Sequence, residues 1–301
     1  MFCLRFKGIR EICLALAVIL LPISLHSQTG ASKGQKHCLW KITSSKNTVF
    51  FLGSIHLLKK ENYPLPDAFE QAFQEAEIAV LELNPDSLSP ARLQALTLAK
   101  GMYQNGKTLQ ASLAPETYKL VDDRLREMGM AAALLNNFEP WLVAVTIATL
   151  KLQQLGLDPS LGVDKHFFDK AKLDKKEILS FETVEYQLDR IDGLSPKLQE
   201  AFLLQTLKDW DLIAREFDEL VQAWATGATP ALEAMLFESF EEFPEVYARL
   251  IIERNQNWLP QIETFLQQER DYLLVVGAGH LVGKDSVLEL LRAKGYEPEQ
   301  L

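Results

Sequence analysis

Two short apolar runs, each stopped by a glycine with a histidine three residues beyond, constrain this chain more than anything else in it. The first is Thr48-Val49-Phe50-Phe51-Leu52-Gly53-Ser54-Ile55-His56, and the second is Asp271-Tyr272-Leu273-Leu274-Val275-Val276-Gly277-Ala278-Gly279-His280. Runs this short, rich in β-branched and aromatic residues, read as buried strands rather than buried helices. Glycine then permits a sharp turn or a close backbone approach to a ligand, which marks Gly53 and Gly277 as candidate substrate contacts. Each histidine is presented past the carboxyl end of a central strand, where open α/β sheets bind ligands. Gly34-Gln35-Lys36-His37 has the same spacing but no strand before it, so the strand context is the signal.

The remaining chain fits a sheet of this kind. Leu39–Thr43 predicts a strand forming a hairpin with the first run across residues 44–47. Pro64 and Pro66 open a helix with Ala68, Phe69, Ala72, Phe73 and Ala76 on one face. Residues 78–84 follow as a strand. A strand–helix–strand unit favours a parallel pair, which places Glu82 beside the strand of His56. A carboxylate in an apolar strand is expensive unless paired, hydrogen-bonded or bound to metal. Helical periodicity covers roughly 88–100, 115–128 and 139–155, and the last stretch is apolar all round, as a buried helix is.

Asp164 begins a further short helix, as an N-cap or a site residue, with propensity favouring the cap. Residues 177–181 read as a strand ending at Glu182, which is either a first-turn acid or a second carboxylate at the sheet edge. Gln187 lies on the helix after it. More helices span 196–225 and 230–269. In the second of these, Arg254 and Asn255 belong to a polar cluster, and a helix arginine is by default a solvated one. A helix over 286–294 closes the chain. The fold class expected is α/β: a mixed, largely parallel sheet with extensive helical insertions.

Residues 1–27 read as a signal peptide: Arg5, Lys7 and Arg10, an apolar run from Ile12 to Leu25, and a polar exit. The run is short for a bilayer span, so no stable membrane insertion is expected after cleavage. Residues 28–38 form a short linker, and 39–301 a single domain, exported to the periplasm or beyond the cell. Loss of the segment removes three basic side chains and Glu11, so the net charge of −10 becomes −12. That balance argues against nucleic acid as a partner. Cys3 and Cys13 leave with the segment, and Cys38 alone permits no internal disulfide.

Two histidines and one or two carboxylates at one sheet edge match the ligand set of a divalent cation such as zinc, manganese or cobalt, with His56, His280 and Glu82 as ligands. Such a site hydrolyses amides or esters, the remaining carboxylate acting as base and an arginine steadying the oxyanion. The same groups without metal also form a His/Glu acid–base pair. No GxGxxG, P-loop, GxSxG, HExxH or CxxC occurs.

Gly53-Ser54-Ile55-His56, Val80-Leu81-Glu82-Leu83, Pro140-Trp141, Gly162-Val163-Asp164, residues 182–187 (ETVEYQ), Arg254-Asn255 and Gly277-Ala278-Gly279-His280-Leu281 resemble, in this order, the TraB/PrgY/GumN family. The resemblance runs from about Leu39 to Tyr296. It implies kinship with Tiki metalloproteases, which use manganese or cobalt, and with erythromycin esterases and ChaN-like haem-binding proteins. It makes His56 and His280 metal or catalytic residues, and Glu82 and Glu182 their acid partners. It makes Arg254 and Asn255 substrate or oxyanion contacts. Phe181 stands where the family has leucine, and the segment Trp224–Ala228 lacks the acid expected after its glycine. The function expected is a metal-dependent peptidase. The alternatives are a binder of a peptide or haem-like ligand, and a metal-free esterase.

Overall fold

The computed structural model describes residues 36–104, 106–237, 240 and 242–301, so the expected signal segment and most of the linker lie outside the described residues. Six strands form one sheet: β1 (Leu39–Thr43), β2 (Thr48–Ser54), β3 (Ile78–Leu81), β4 (Glu177–Ser180), β5 (Tyr272–Gly277) and β6 (Glu299–Gln300). Their order is β4-β3-β5-β2-β1-β6. The four strands β4, β3, β5 and β2 run parallel, while β1 pairs antiparallel with β2 and β6 antiparallel with β1. The fold is therefore α/β with a mixed, mostly parallel sheet, as the pattern of apolar runs anticipates.

One neighbour relation differs from expectation. β3 lies beside β5, not beside β2, because the C-terminal strand inserts between the two strands of the first crossover unit. β5 is buried along Tyr272–Val276, as a central strand covered on both faces must be. The insertion brings four carboxyl ends together. Ser54 pairs with Gly277, and Leu81 pairs with both Val275 and Ser180. Beyond the strands, the Phe181 amide donates to the Leu81 carbonyl and the Glu182 amide to that of Glu82, so the two glutamates leave the sheet side by side.

The helices divide between two apolar cores. Around the sheet pack α1 (Asp67–Glu75) and α6 (Val163–Leu173), with Phe73 and Phe167 in contact at 5.5 Å between ring centres. The same core takes in residues of α9 (Trp210–Ala225), α12 (Glu253–Phe265) and α13 (Val287–Ala293). The second core is helical. It draws on α4 (Pro115–Glu127), α5 (Pro140–Gln154), α7 (Val184–Asp192) and α8 (Pro196–Lys208) around Trp141 and Phe202. α2 (Pro90–Gly101) and the short α3 (Leu109–Ser112) and α11 (Pro244–Tyr247) also pack on the second core, while α10 (Thr229–Phe237) puts Leu232 in the sheet core and Phe237 against both. The helical run over 196–225 is divided at Asp209, which is fully buried at the junction. A π-turn, Ala248–Ile252, joins α11 to α12 immediately before Arg254. Among the described residues, no helix is long and apolar enough to cross a membrane.

Candidate functional site

The first histidine is fixed by a loop that passes over it. β2 continues through Gly53 to Ser54, so Gly53 is a strand residue, and a side chain there would strike the Cys38 sulfur and Ala278. Its role is close packing rather than the ligand approach expected from the sequence. His56 follows two residues beyond the strand. The Val163 amide donates to the Ile55 carbonyl at 2.9 Å, and Gly162 lies so close to the His56 carbonyl that no side chain fits between them. Gly162 itself occupies the N-cap of α6, which leaves Asp164 free to turn toward the site. Its Oδ1 is 2.9 Å from His56 Nδ1. The cap reading of Asp164 is thus overturned: local propensity favoured the cap, but the loop geometry spends the residue on His56. Burial works to lower the pKa of His56, yet the charge and hydrogen bond of Asp164, with Glu82 behind, push it up to about 8.

The second histidine is held from the other side. β5 ends at Gly277, and a single turn carries His280 into a buried position against Trp258, with 4.4 Å between ring centres. Its Nδ1 is 2.6 Å from Asn255 Oδ1, and the Asn255 amide nitrogen donates to the Asp285 carbonyl at 2.8 Å. Asn255 is fully buried, and both ends of its amide are engaged. It therefore orients His280 rather than facing a ligand. Burial, and then the neighbouring Arg254, push the pKa of His280 down to about 3, so this ring is neutral.

Between the histidines lies a buried ion cluster. The Arg254 Nε donates to Glu182 Oε1 at 2.9 Å, and Nη2 donates to Glu182 Oε2 at 2.8 Å and to Glu82 Oε2 at 2.5 Å. Nη1 bonds the Leu250 carbonyl at 3.2 Å and His280 Nε2 at 3.0 Å. Every face of the guanidinium is engaged, so the expected oxyanion contact is in this arrangement a clamp, and the default of a solvated helix arginine is overturned. The cause is the helix register. Trp258, one turn after Arg254, lies on the same helix face and donates from Nε1 to Glu182 Oε1 at 2.8 Å. The arginine Cζ is 5.0 Å from the same indole. Gln187 adds a bond from Nε2 to Glu182 Oε2 at 2.9 Å. Burial favours neutral Glu82, but Arg254, the histidines and the Gly277 amide hold its carboxyl well below the usual range. Glu82 Oε1 accepts from that amide at 2.6 Å.

His56, Glu82 and His280 converge on Gly277. A side chain built there would meet Glu82 Oε1 at 3.2 Å, His56 Nε2 at 3.6 Å and His280 Cδ2 at 3.7 Å. With Nδ1 of each ring directed at Asp164 or Asn255 and His280 Nε2 held by Arg254, His56 Nε2 is the ring nitrogen left to act, the tautomer that a partner behind Nδ1 imposes. The donors therefore suit a divalent cation in kind. In spacing they do not close on one: Arg254 bonds both His280 Nε2 and Glu82, and among the described residues no three His, Cys, Asp or Glu side chains are grouped to hold a metal ion. The positive charge at this edge is the guanidinium.

The cluster forms the polar end of a cavity of about 420 Å³ that runs between the two cores. Ser54, His56, Glu82, Gln187, Arg254 and Gly277 line that end. Two groups here carry no sequence expectation. Ser54 Oγ is buried with no hydrogen-bond partner among the described residues. Trp258 was legible in principle, because it follows Arg254 by one helical turn.

The family model for the TraB/PrgY/gumN family matches residues 38–300. The uncharacterized protein YbaP of Escherichia coli (strain K12) is 25% identical over 85% of this chain and 94% of its own length. Metalloprotease TIKI1 of Homo sapiens is 23% identical over 93% of this chain and 67% of its own length. Metalloprotease TIKI2 of Danio rerio is 23% identical over 83% of this chain and 58% of its own length. No solved structure matches the chain.

Proposed function

The chain belongs to the TraB/PrgY/gumN family, and from that premise we propose that it is an exported hydrolase of amide bonds in peptides. The observation that carries the reading is the Asp164–His56 pair, 2.9 Å apart, with His56 Nε2 turned to the gap beside Gly277 at the end of a cavity. An imidazole held this way takes a proton from water at Nε2, and the carboxylate behind Nδ1 steadies the cation that forms. The water oxygen adds to the amide carbon, the C–N bond breaks, and the amine leaves with the proton returned from His56. Arg254 keeps Glu82 and Glu182 ionised and in place.

A second reading is favoured by the names of the two metalloprotease relatives and by the two imidazoles beside Glu82. In it His56, His280 and Glu82 would hold a divalent cation, which would supply polarisation of a carbonyl and acidification of water, and Arg254 would have to release His280 Nε2. Both readings need His56 unprotonated. Export to the periplasm or the exterior rests on the basic, apolar and polar succession of residues 1–27.

The test is chelated protein incubated with a peptide mixture, alone and with each cation in turn, with products read by mass spectrometry. His56→Ala and Glu82→Gln run beside it. Cleavage by the chelated protein that His56→Ala abolishes supports the metal-free mechanism. Cleavage that appears only with one cation establishes the second reading. No cleavage under any condition by folded protein sinks both and leaves a binder of a peptide or haem-like ligand.

A further inference from the structure

The wall of the cavity does not resemble its polar end. Away from the ion cluster it is built from Leu93 of α2, Trp141 and Val145 of α5, Leu188 of α7 and Leu232 of α10. Three threonines interrupt the apolar lining, and each is tied back to its own helix. Thr97 Oγ1 donates to the Leu93 carbonyl at 3.0 Å, Thr146 to that of Leu142 at 2.7 Å, and Thr149 to that of Val145 at 2.8 Å. Hydroxyls so engaged offer an occupant methyl groups rather than donors. The exposed side chains of Gln94 and Gln153 stand on the lining at the α2–α5 margin, away from the buried ion cluster. An apolar space that leads from such a margin to a polar centre matches an amphiphilic ligand with one polar head. A peptide of mixed side chains would leave its amides without partners along this wall.

Resting on the hydrolase reading for its chemistry, we propose that the substrate class is acylated: one unbranched aliphatic chain fills the cavity and presents its carbonyl head to His56. The volume of about 420 Å³ sets the length. A water needs only about 10–15 Å³ of probe-occupied space, so a cavity of this size takes a long chain, on the order of ten carbons or more. Each methylene buried strengthens binding by up to about fourfold. Affinity therefore rises steeply with chain length and stops rising once the cavity is full.

The experiment measures calorimetric binding of N-acyl glycinamides, with acyl chains from about four to about eighteen carbons, to the full chain. The result expected is a dissociation constant that falls several-fold for each pair of carbons and levels off within the series, once the cavity is full. Val145→Phe, on the inner wall, moves the levelling point to shorter chains. Leu93→Trp, on the half-buried margin, does the same and serves where the first variant loses its cooperative unfolding transition. Affinity independent of chain length overturns the proposal. So does hemin binding with a Soret shift that His56→Ala removes, when the acyl series fails to bind. Chain-length-dependent binding without turnover of any acyl peptide contradicts the hydrolase reading and leaves the acyl site standing. Turnover of unacylated peptides with no gain from an acyl chain does the reverse.

Discussion

Replacing Arg254 by methionine keeps the apolar stem and removes the charge from the centre of the buried cluster. The side chains of Glu82 and Glu182 are only 10% and 3% exposed, so water cannot take the place of the guanidinium. Breaking a buried pair from one side leaves an uncompensated charge and destabilises by about 3–5 kcal/mol. Here two carboxylates lose their partner at once, so the upper part of that range is expected in urea unfolding at neutral pH. The pH dependence identifies the cause. In the parent protein the folded pKa of Glu82 is depressed, so its contribution is present above the unfolded value of about 4.3 and fades as pH falls below it. In the variant, burial raises the folded pKa, so a penalty exists at neutral pH and is relieved by protonation on acidification. Both effects shrink the difference between the two proteins as pH falls. Arg190→Met removes the partner of Glu253 from a pair 25% and 46% exposed, and serves as a control costing under about 1 kcal/mol. A loss below about 1 kcal/mol for Arg254→Met, or a loss constant from neutral to acid pH, would refute the buried-charge account.

Four further outcomes are expected. Because His56 titrates near 8 and acts only when neutral, turnover rises as pH rises through about 8, and Asp164→Asn moves that limb down toward the ordinary histidine value of about 6.5; a pH–rate profile reads both. Asp209 is fully buried, its Oδ2 has no hydrogen-bond partner among the described residues, and burial pushes its pKa up to about 7 against the Gln205 bond. Its ionisation therefore opposes folding increasingly between pH ~4 and ~7, and Asp209→Asn stabilises the protein above pH ~7 by up to about 4 kcal/mol but not below pH ~4, as thermal unfolding across pH would show. Gly53→Ala forces a methyl against the Cys38 sulfur and Ala278, and lowers stability by about 1–3 kcal/mol in denaturant unfolding with His56 still in place. If a cation binds at His56, His280 and Glu82, adding it to the chelated protein at about a hundred times its dissociation constant raises stability by about 2.7 kcal/mol, and His280→Ala removes the gain.

Five of the six strands were legible because their apolar runs are bounded by turn residues, and Glu82 because a carboxylate in such a run has to be explained; β6, Glu299–Gln300, has no apolar run to mark it. The neighbour of β3 was not legible. Which strand fills the gap in a crossover unit is decided by a segment almost two hundred residues away, and nothing local to Ile78–Leu81 records it. Arg254 was misread without the family resemblance for a different reason. A charge on a helix reads as solvated, and the π-turn before it adds a residue that takes the face of Leu250 and Ile251 out of register with the face that follows. Asp164 shows the limit of propensity: it has the composition of a cap, but Gly162 caps the helix and the loop over His56 decides its partner. Asn255 belongs to the site as expected, yet behind His280 rather than beside a ligand.

The central claim is that water is added to an amide at His56, and incubation with peptides and N-acyl glycinamides in heavy-oxygen water tests it most directly. The account predicts that the wild-type protein yields products with one heavy oxygen in each new carboxylate, on a shortened peptide or on a released acyl chain, and that His56→Ala, folded to the same transition, yields none. Heavy-oxygen products formed equally by the His56→Ala variant would contradict it.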